Sequence, residues 1–500
     1  MLATSLTAAL VGIEARLVRV EADTAAGFPK FTMLGLADSC VRESEGRVRA
    51  ALRNCGFDFK WDRRITVNLA PAHLKKIGSS FDLATAMGLL AADSALPAGT
   101  LDSLLLIGEL ALDGSVRAAH GLLPMMLMAR AEGVRAAIVP AANHREAGLV
   151  PEIAVFPVHS LPEAVAVARA SPRPEPQLPP AALAAPAAPL DLAEVRGQPL
   201  ARRALEVAAA GGHNVLLVGP PGAGKTMLAR RLPSLLPALT REEAIETSAI
   251  HSAWGRSLDA LLQERPFRSP HHTATEPALV GGGTHPRPGD VSLAHNGVLF
   301  LDELSEFRRR TLEALRQPLE EGRVTISRAR GTLQLPARFQ LVGAMNPCPC
   351  GFRGDEKRGC RCTPSQLNCY EGRVSGPLLD RIDIRVWVRG LRYAEIEAPP
   401  GESSALVRER VEAARLRQIA RAGCLNAALR ATELRVMARP GDRGRALLQE
   451  AVDRFALSGR AHDRVLRVAR TLADLQGRAS VEAQDVAEAL QFRGEEGWQR

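Results

Sequence analysis

Gly219-Pro-Pro-Gly-Ala-Gly-Lys225-Thr226 follows the apolar run Asn214-Val-Leu-Leu-Val218 directly and precedes Met227-Leu-Ala-Arg-Arg-Leu232. A buried strand delivers the chain to a glycine turn, and a helix leaves it with its positive end aimed back at the turn. Gly219, Pro220, Pro221, Gly222, Ala223 and Gly224 then wrap phosphates with backbone N–H groups. Lys225 reaches the β- and γ-phosphates, and Thr226 offers its hydroxyl to Mg²⁺. Further on, the buried-strand run Val298-Leu-Phe-Leu301 ends in Asp302-Glu303. A carboxylate at a strand's carboxyl end suits Asp302 to hold Mg²⁺, and Glu303 beside it suits polarising a water. The two motifs together predict ATP as ligand, Mg²⁺ as its ion, and hydrolysis as the reaction.

The chain has 500 residues, more than one core accommodates, so two or three domains are expected. No run of about 18 apolar residues occurs, and Met1-Leu-Ala-Thr-Ser-Leu lacks the charged start of a secretory signal, so a cytoplasmic protein with no membrane partner is expected. The net charge of +9 comes almost wholly from arginine, a bias that a GC-rich genome also produces, so charge alone says little about a nucleic-acid partner.

Residues 171–190 are a Pro/Ala run that sustains neither helix nor central strand, and they read as a linker. Before it, residues 1–170 alternate strand-like runs (Ile13 to Val20, Ile65 to Leu69, Leu104 to Leu110, Ala136 to Val139) with helical ones (Asp38 to Asn54, Phe81 to Ala92, Leu122 to Glu132). That pattern predicts a compact α/β domain. Residues 191–395 carry the nucleotide motifs on a doubly wound α/β alternation, and residues 396–500 read as helical throughout, a lid.

Cys348, Cys350, Cys360, Cys362 and Cys369 crowd one short segment, and thiol pairs of this kind in a cytosolic chain read as a metal site before disulfides. Cys348-Pro-Cys350 and Cys360-Arg-Cys362 supply four thiolates, enough for a closed, structural Zn²⁺ site. The one-residue spacing departs from the commoner two-residue knuckle, free thiols remain the alternative, and Cys369 is a spare fifth candidate.

The order of these motifs, with Asn346 after the strand Phe339 to Ala344 and with Leu378-Leu-Asp-Arg381-Ile-Asp383, resembles the AAA+ ATPases and, within them, the magnesium-chelatase-like branch. Arg265-Pro-Phe-Arg-Ser-Pro-His-His-Thr273, Gly281-Gly-Gly283 and Asn346-Pro-Cys-Pro-Cys-Gly351 narrow the resemblance to the ComM/YifB family, over the whole length. The resemblance implies that Asn346 is the first sensor, orienting the lytic water. It implies that Arg381 is an arginine finger given to a neighbouring subunit's ATP in a homo-hexamer. For the second sensor it offers Arg460, with Arg464 one helical turn later as the rival. The resemblance implies action on single-stranded or branched DNA, helicase-like branch migration in natural transformation or recombination, and recombination proteins as partners. The alternative is a chelatase- or chaperone-type ATPase that remodels a protein.

Related ATPases carry an insert, here about 264–296, and a hairpin ahead of the first sensor, here Val324-Thr-Ile-Ser-Arg328-Ala-Arg330-Gly-Thr-Leu-Gln-Leu335. Arg323, Arg328, Arg330 and Arg338 would face a nucleic-acid backbone in a ring channel, or else serve as solvated edges or subunit contacts. His271 and His272 read as polar insert residues. The amino-terminal segment Lys76-Ile-Gly78-Ser79-Ser80-Phe-Asp82 resembles Lon-like serine/lysine peptidases, with Ser80 in the nucleophile's place. The base position, however, holds Met125 in Gly121-Leu-Leu-Pro-Met125, and a thioether accepts no proton, so peptidase activity is not expected.

Overall fold

The computed structural model describes residues 1–176, 190–283, 287–328, 331–355 and 358–493. Most of the expected linker and Arg330 lie outside them. The chain divides into two compact units: residues 1–184 with 244–262, and residues 185–243 with 263–500.

The first unit is built on a seven-stranded mixed sheet. Its order is Lys30–Leu34, Arg64–Ala70, Glu14–Ala25, Leu2–Val11, Leu104–Leu106, Ala136–Pro140, Ala154–Val158. Leu2–Val11 pairs antiparallel with Glu14–Ala25 around a turn at Gly12 and Ile13, with Gly12 at φ 68°. Ile13 therefore lies in the turn and not in the strand, and the strand before it went unread because its apolar signal is diluted by Thr and Ala. The run expected over Leu104 to Leu110 is split into Leu104–Leu106 and Glu109–Leu110. The cause is local: a Cβ at Gly108 would meet Val116 Cγ1 at 2.7 Å, and the Gly108 amide donates to Ser80 O at 3.2 Å.

Helices Ser44–Asn54, Asp82–Ala92 and Leu161–Arg169 cover one face of this sheet with a shared apolar core. Helix Leu122–Ala131 belongs to a second core with Leu105, Ile107 and, from far along the sequence, Leu258. Met125 is buried in that core. The segment 244–262 is fastened there by polar contacts too: Ser252 Oγ donates to Glu146, whose Oε1 also accepts the Leu123 amide at 3.3 Å. Burial pushes the Glu146 carboxyl up, partly offset by these donors.

In the second unit five parallel strands form one sheet, ordered Phe267–Arg268, Val298–Leu301, Gln340–Met345, Val215–Val218, Ile384–Trp387. Phe267–Arg268 lies inside the segment read as an insert, so that segment contributes an edge strand to the core. The central strands are buried on both faces, which is why they read as unbroken apolar runs. Helix Pro199–Gly211 packs on the sheet and shares one apolar core with Ser404–Ala422, Gly459–Leu475 and Ala483–Gln491. The helices expected to form a separate region after 396 are thus continuous with the sheet's own core. Arg323–Arg328 pairs antiparallel with Gly331–Pro336, giving the expected hairpin.

If residues 244–262 complete the first unit, Leu258→Ala should destabilise it by about 2–5 kcal/mol, the range for emptying a buried leucine site. Denaturant unfolding followed by probes in that unit would measure this. A loss below about 0.5 kcal/mol would show that Leu258 merely rests on the surface.

Candidate active site

The carboxyl ends of the parallel strands lie along one edge, and the motif residues come directly after them. Val218 pairs with Met345, and Leu301 with Gly343, so Gly219, Asn346 and Asp302 emerge side by side. The strand that leads into the loop has its neighbours in chain order, the fourth and fifth strands, on either side of it, a switch point where ligands bind in open α/β sheets.

The loop owes its shape to its glycines. Gly222 (φ 77°) and Gly224 (φ 90°) are left-handed with open space around them, so glycine is required there by backbone conformation and not by crowding. At Gly219 the reason is crowding, since a Cβ would lie 2.0 Å from Val388 O. Gly224 caps helix Lys225–Ala229, which points its first-turn N–H groups into the loop.

Lys225 Nζ donates to Gly219 O at 2.8 Å, Pro220 O at 3.0 Å and Asn346 Oδ1 at 3.1 Å. All three ammonium protons are thereby aimed across the loop mouth, and a phosphate seated there would be met by the same donors. Burial lowers the Lys225 pKa, while Asp302 and Glu303 raise it in part. Thr226 Oγ1 donates to Asp302 Oδ2 at 2.7 Å. The two oxygens converge on one point and form the hard donor set that Mg²⁺ takes.

Glu303 has φ 51°, a conformation sparsely populated by non-glycine residues, and this turns its side chain away from the strand direction. Its Oε2 lies 3.1 Å from His272 Nδ1. His272 is stacked at a tilt on His271, with ring centroids 4.1 Å apart. Reading the pair as polar insert residues missed this partner of Glu303, and nothing in a lone His-His dipeptide announces it. Tyr370 and Ser305 were missed as well: Tyr370 Oη donates to Asn346 O at 3.1 Å, and Ser305 Oγ donates to Tyr370 Oη at 2.7 Å.

Three families match the chain in succession. "Subunit ChlI of Mg-chelatase" matches residues 20–143, "Magnesium chelatase, subunit ChlI" residues 191–396, and "Magnesium chelatase, subunit ChlI C-terminal" residues 401–493. The Competence protein ComM of Haemophilus influenzae is 44% identical over 497 residues, covering 97% of this chain and 96% of that protein. The chain belongs to the ComM/YifB family of magnesium-chelatase-like AAA+ ATPases. The Uncharacterized protein YifB of Escherichia coli is likewise 44% identical, over 97% of this chain and 96% of its own length. More distant is the Magnesium-chelatase 38 kDa subunit of Cereibacter sphaeroides, 26% identical over 41% of this chain and 61% of that protein.

Other expected site residues of this ComM/YifB chain lie elsewhere. Arg381 is at the opposite end of the sheet, where its carbonyl accepts from Asn214 Nδ2 at 2.8 Å, just ahead of the loop's strand. Its guanidinium donates to Pro377 O at 2.6 Å and pairs with Glu320. Arg460 and Arg464 join it there: Arg460 lies 3.9 Å from Asp380, and Arg464 3.7 Å from both Asp380 and Asp383. Arg464 is 6% exposed against 73% for Arg460, so the rival is the better anchored of the two. A polar cavity of about 810 Å³ opens at this end, lined among others by Arg381, Arg460, Arg464 and Arg467.

The four paired thiols also come together. Cys348 Sγ is 3.3 Å from Cys350 Sγ, and Cys360 Sγ is 3.7 Å from each of them. All four, with Cys362, lie within 4.8 Å of one another, and Cys369 is not in the group.

From this geometry Lys225→Ala should abolish ATP binding, whereas Glu303→Gln should bind ATP as the unaltered protein does and lose at least about 10²-fold in kcat. Nucleotide titration and steady-state ATPase assays separate the two. Full hydrolysis by Glu303→Gln would remove Glu303 from the chemistry.

Proposed function

We propose that the protein is an ATP-driven homo-hexameric ring motor that acts on single-stranded or branched DNA in the cytoplasm. The activity is helicase-like branch migration during recombination, including the integration of DNA in natural transformation. The observation that carries the ring is the position of Arg381. Four strand residues, or about 13 Å, separate its end of the sheet from the phosphate loop, more than its side chain spans. A cation kept there would serve the nucleotide of another copy. An always-charged, forked guanidinium suits that task, since it can bridge two phosphate oxygens as charge develops. Arg460 and Arg464 sit beside it and would meet the same nucleotide. The first sensor is Asn346, already within reach of Lys225.

Within one subunit, Lys225 would hold the phosphates, Thr226 and Asp302 would hold Mg²⁺, and Glu303 would draw a proton from the attacking water. Held there, Mg²⁺ would supply charge neutralisation to the phosphates. Support for DNA as the substrate is the hairpin with Arg323 and Arg328, followed by Arg338, together with the printed name of the Haemophilus relative. Among the described residues, no helix is long and apolar enough to cross a bilayer. Peptide hydrolysis by the first unit has no place in this reading, because Met125 fills the base position and is buried among apolar side chains.

The similarity to magnesium-chelatase subunits favours one other reading, an ATPase that remodels a protein partner. DNA-dependent ATPase measurements decide between them. Branched or single-stranded DNA should raise the rate, and the stimulation should fade steeply between about 50 and 200 mM salt as phosphate contacts are screened. A rate and an assembly state indifferent to DNA would favour the protein-remodelling ATPase.

Arg381→Ala should still bind ATP yet lose about 10³-fold in kcat, the lower range for an arginine finger. A normal rate would show that Arg381 serves no nucleotide.

The cysteine group is read as a structural Zn²⁺ site. Four thiolates at about 2.3 Å from a tetrahedral ion are about 3.8 Å apart, close to the 3.7 Å of two of the observed separations. The amides of Cys350 and Arg353 donate to Cys362 Sγ at 3.4 Å and Cys348 Sγ at 3.3 Å, the kind of N–H support that thiolate ligands require.

A further inference from the structure

We propose that the four-thiol site is a brace that sets the first sensor, so that metal binding controls the rate of hydrolysis without controlling nucleotide affinity. The inference rests on the zinc and ATPase readings above and gives them a common mechanism.

The chain forms a closed circuit around Asn346. Leaving the sheet at Met345, it passes Asn346 and Pro347 and reaches the first ligands, Cys348 and Cys350. After the loop it returns at Cys360 and Cys362. Thr363 follows at once and caps helix Pro364–Glu371 through a reciprocal capping box with Gln366. That helix carries Tyr370, whose hydroxyl comes back to Asn346 O at 3.1 Å while accepting from Ser305 Oγ at 2.7 Å. Ser305 stands three residues after Asp302. The circuit therefore ties the first sensor's backbone to the turn that carries Glu303.

Two further contacts stiffen the circuit. Arg353, whose amide supports Cys348 Sγ, pairs with Glu371 at the far end of the helix at 2.6 Å. Gly351, at φ 83°, lies so close to the phosphate loop that a Cβ there would meet Pro221 Cδ at 2.7 Å. The thiol loop thus touches the phosphate loop on one side and positions the sensor on the other.

Without the ion, the two ends of the thiol loop meet only through thiol contacts, and the rest of the circuit hangs on the Arg353–Glu371 pair, the Tyr370 hydroxyl and a short capped helix. The helix has eight residues, below the length at which a helix holds itself in water. With the ion, the start of the helix is fixed to the exit of the sensor strand, and Tyr370 is held against Asn346. Phosphate capture by Gly219–Thr226 needs none of this, since the loop is shaped by its own glycines and strand. The orientation of the Asn346 side chain does need it, and Lys225 Nζ reads that orientation directly at 3.1 Å. Tyr370 is therefore a positioning residue and touches no reacting atom.

The test compares full-length Cys360→Ser, Tyr370→Phe and the double variant by metal analysis, ATP titration and steady-state ATPase rate. Cys360→Ser should lose bound zinc and lower kcat on the order of tenfold, with ATP affinity within about threefold of the unaltered protein. Tyr370→Phe should keep its zinc and its affinity and lower kcat similarly. The double variant should be no slower than Cys360→Ser, because the two changes act through one circuit. A Cys360→Ser protein that is free of zinc and turns over normally overturns the proposal, as does a Tyr370→Phe protein at the full rate. Multiplying defects in the double variant overturn it too. If Cys360→Ser does not fold, Tyr370→Phe still decides. Full zinc in Cys360→Ser would discredit the metal site itself, and a full rate in Asn346→Ala would discredit the sensor, each separately from the brace.

Discussion

Val215–Val218 lies between Gln340–Met345 and Ile384–Trp387 in parallel pairing, and the placement of every candidate residue of the second unit depends on that arrangement. Parallel strands bring like ends to one edge. The loop at Gly219, Asp302 and Asn346 each follow the last residue of a strand, so the pairing alone assembles them. The same pairing sends Asp380, Arg381 and Asp383 to the other edge, since they precede the last strand. A single constraint therefore divides the candidate residues into two groups: Gly219 to Thr226, Asp302 and Asn346 at one end, arginines at the other. Neither group moves without breaking buried ladder hydrogen bonds, whose polar groups have no water to turn to.

The arginine end is held in place by acidic partners. Arg381 is paired with Glu320, and Arg464, whose pKa burial lowers, lies between Asp380 and Asp383. Paired in this way, the guanidinium of Arg464 is held in a fixed direction. Glu320 also belongs to helix Arg316–Glu321, whose C-cap Gly322 leads straight into the arginine hairpin. Arg381 and the hairpin thus both join this one short helix.

The phosphate loop, the acidic strand end and the position of Asn346 were legible in the sequence because each is contiguous with an apolar strand run. Local order suffices when function sits at strand ends. What escaped reading is made by chain reversal. His272 meets Glu303 across about thirty positions, and Tyr370 closes on Asn346 only after the thiol loop. Leu258 enters the core of the first unit although the sequence around it reads as part of the second. The strand Leu2–Val11 was missed for a different reason: four of its five buried positions, Ser5, Thr7, Ala8 and Ala9, carry little periodic signal, and only Leu6 is strongly apolar.

Hydrolysis shared between two copies is the claim on which the account turns, and mixing two inactive variants tests it most directly. Lys225→Ala keeps its arginine end but has no working site, while Arg381→Ala keeps its site but presents no finger. Mixed in equal amounts and allowed to exchange, they should recover about a quarter of the unaltered ATPase rate, the share of junctions that pair an intact site with an intact finger. A mixture that stays inactive at every ratio, although exchange into common rings is verified, would contradict a site divided between subunits.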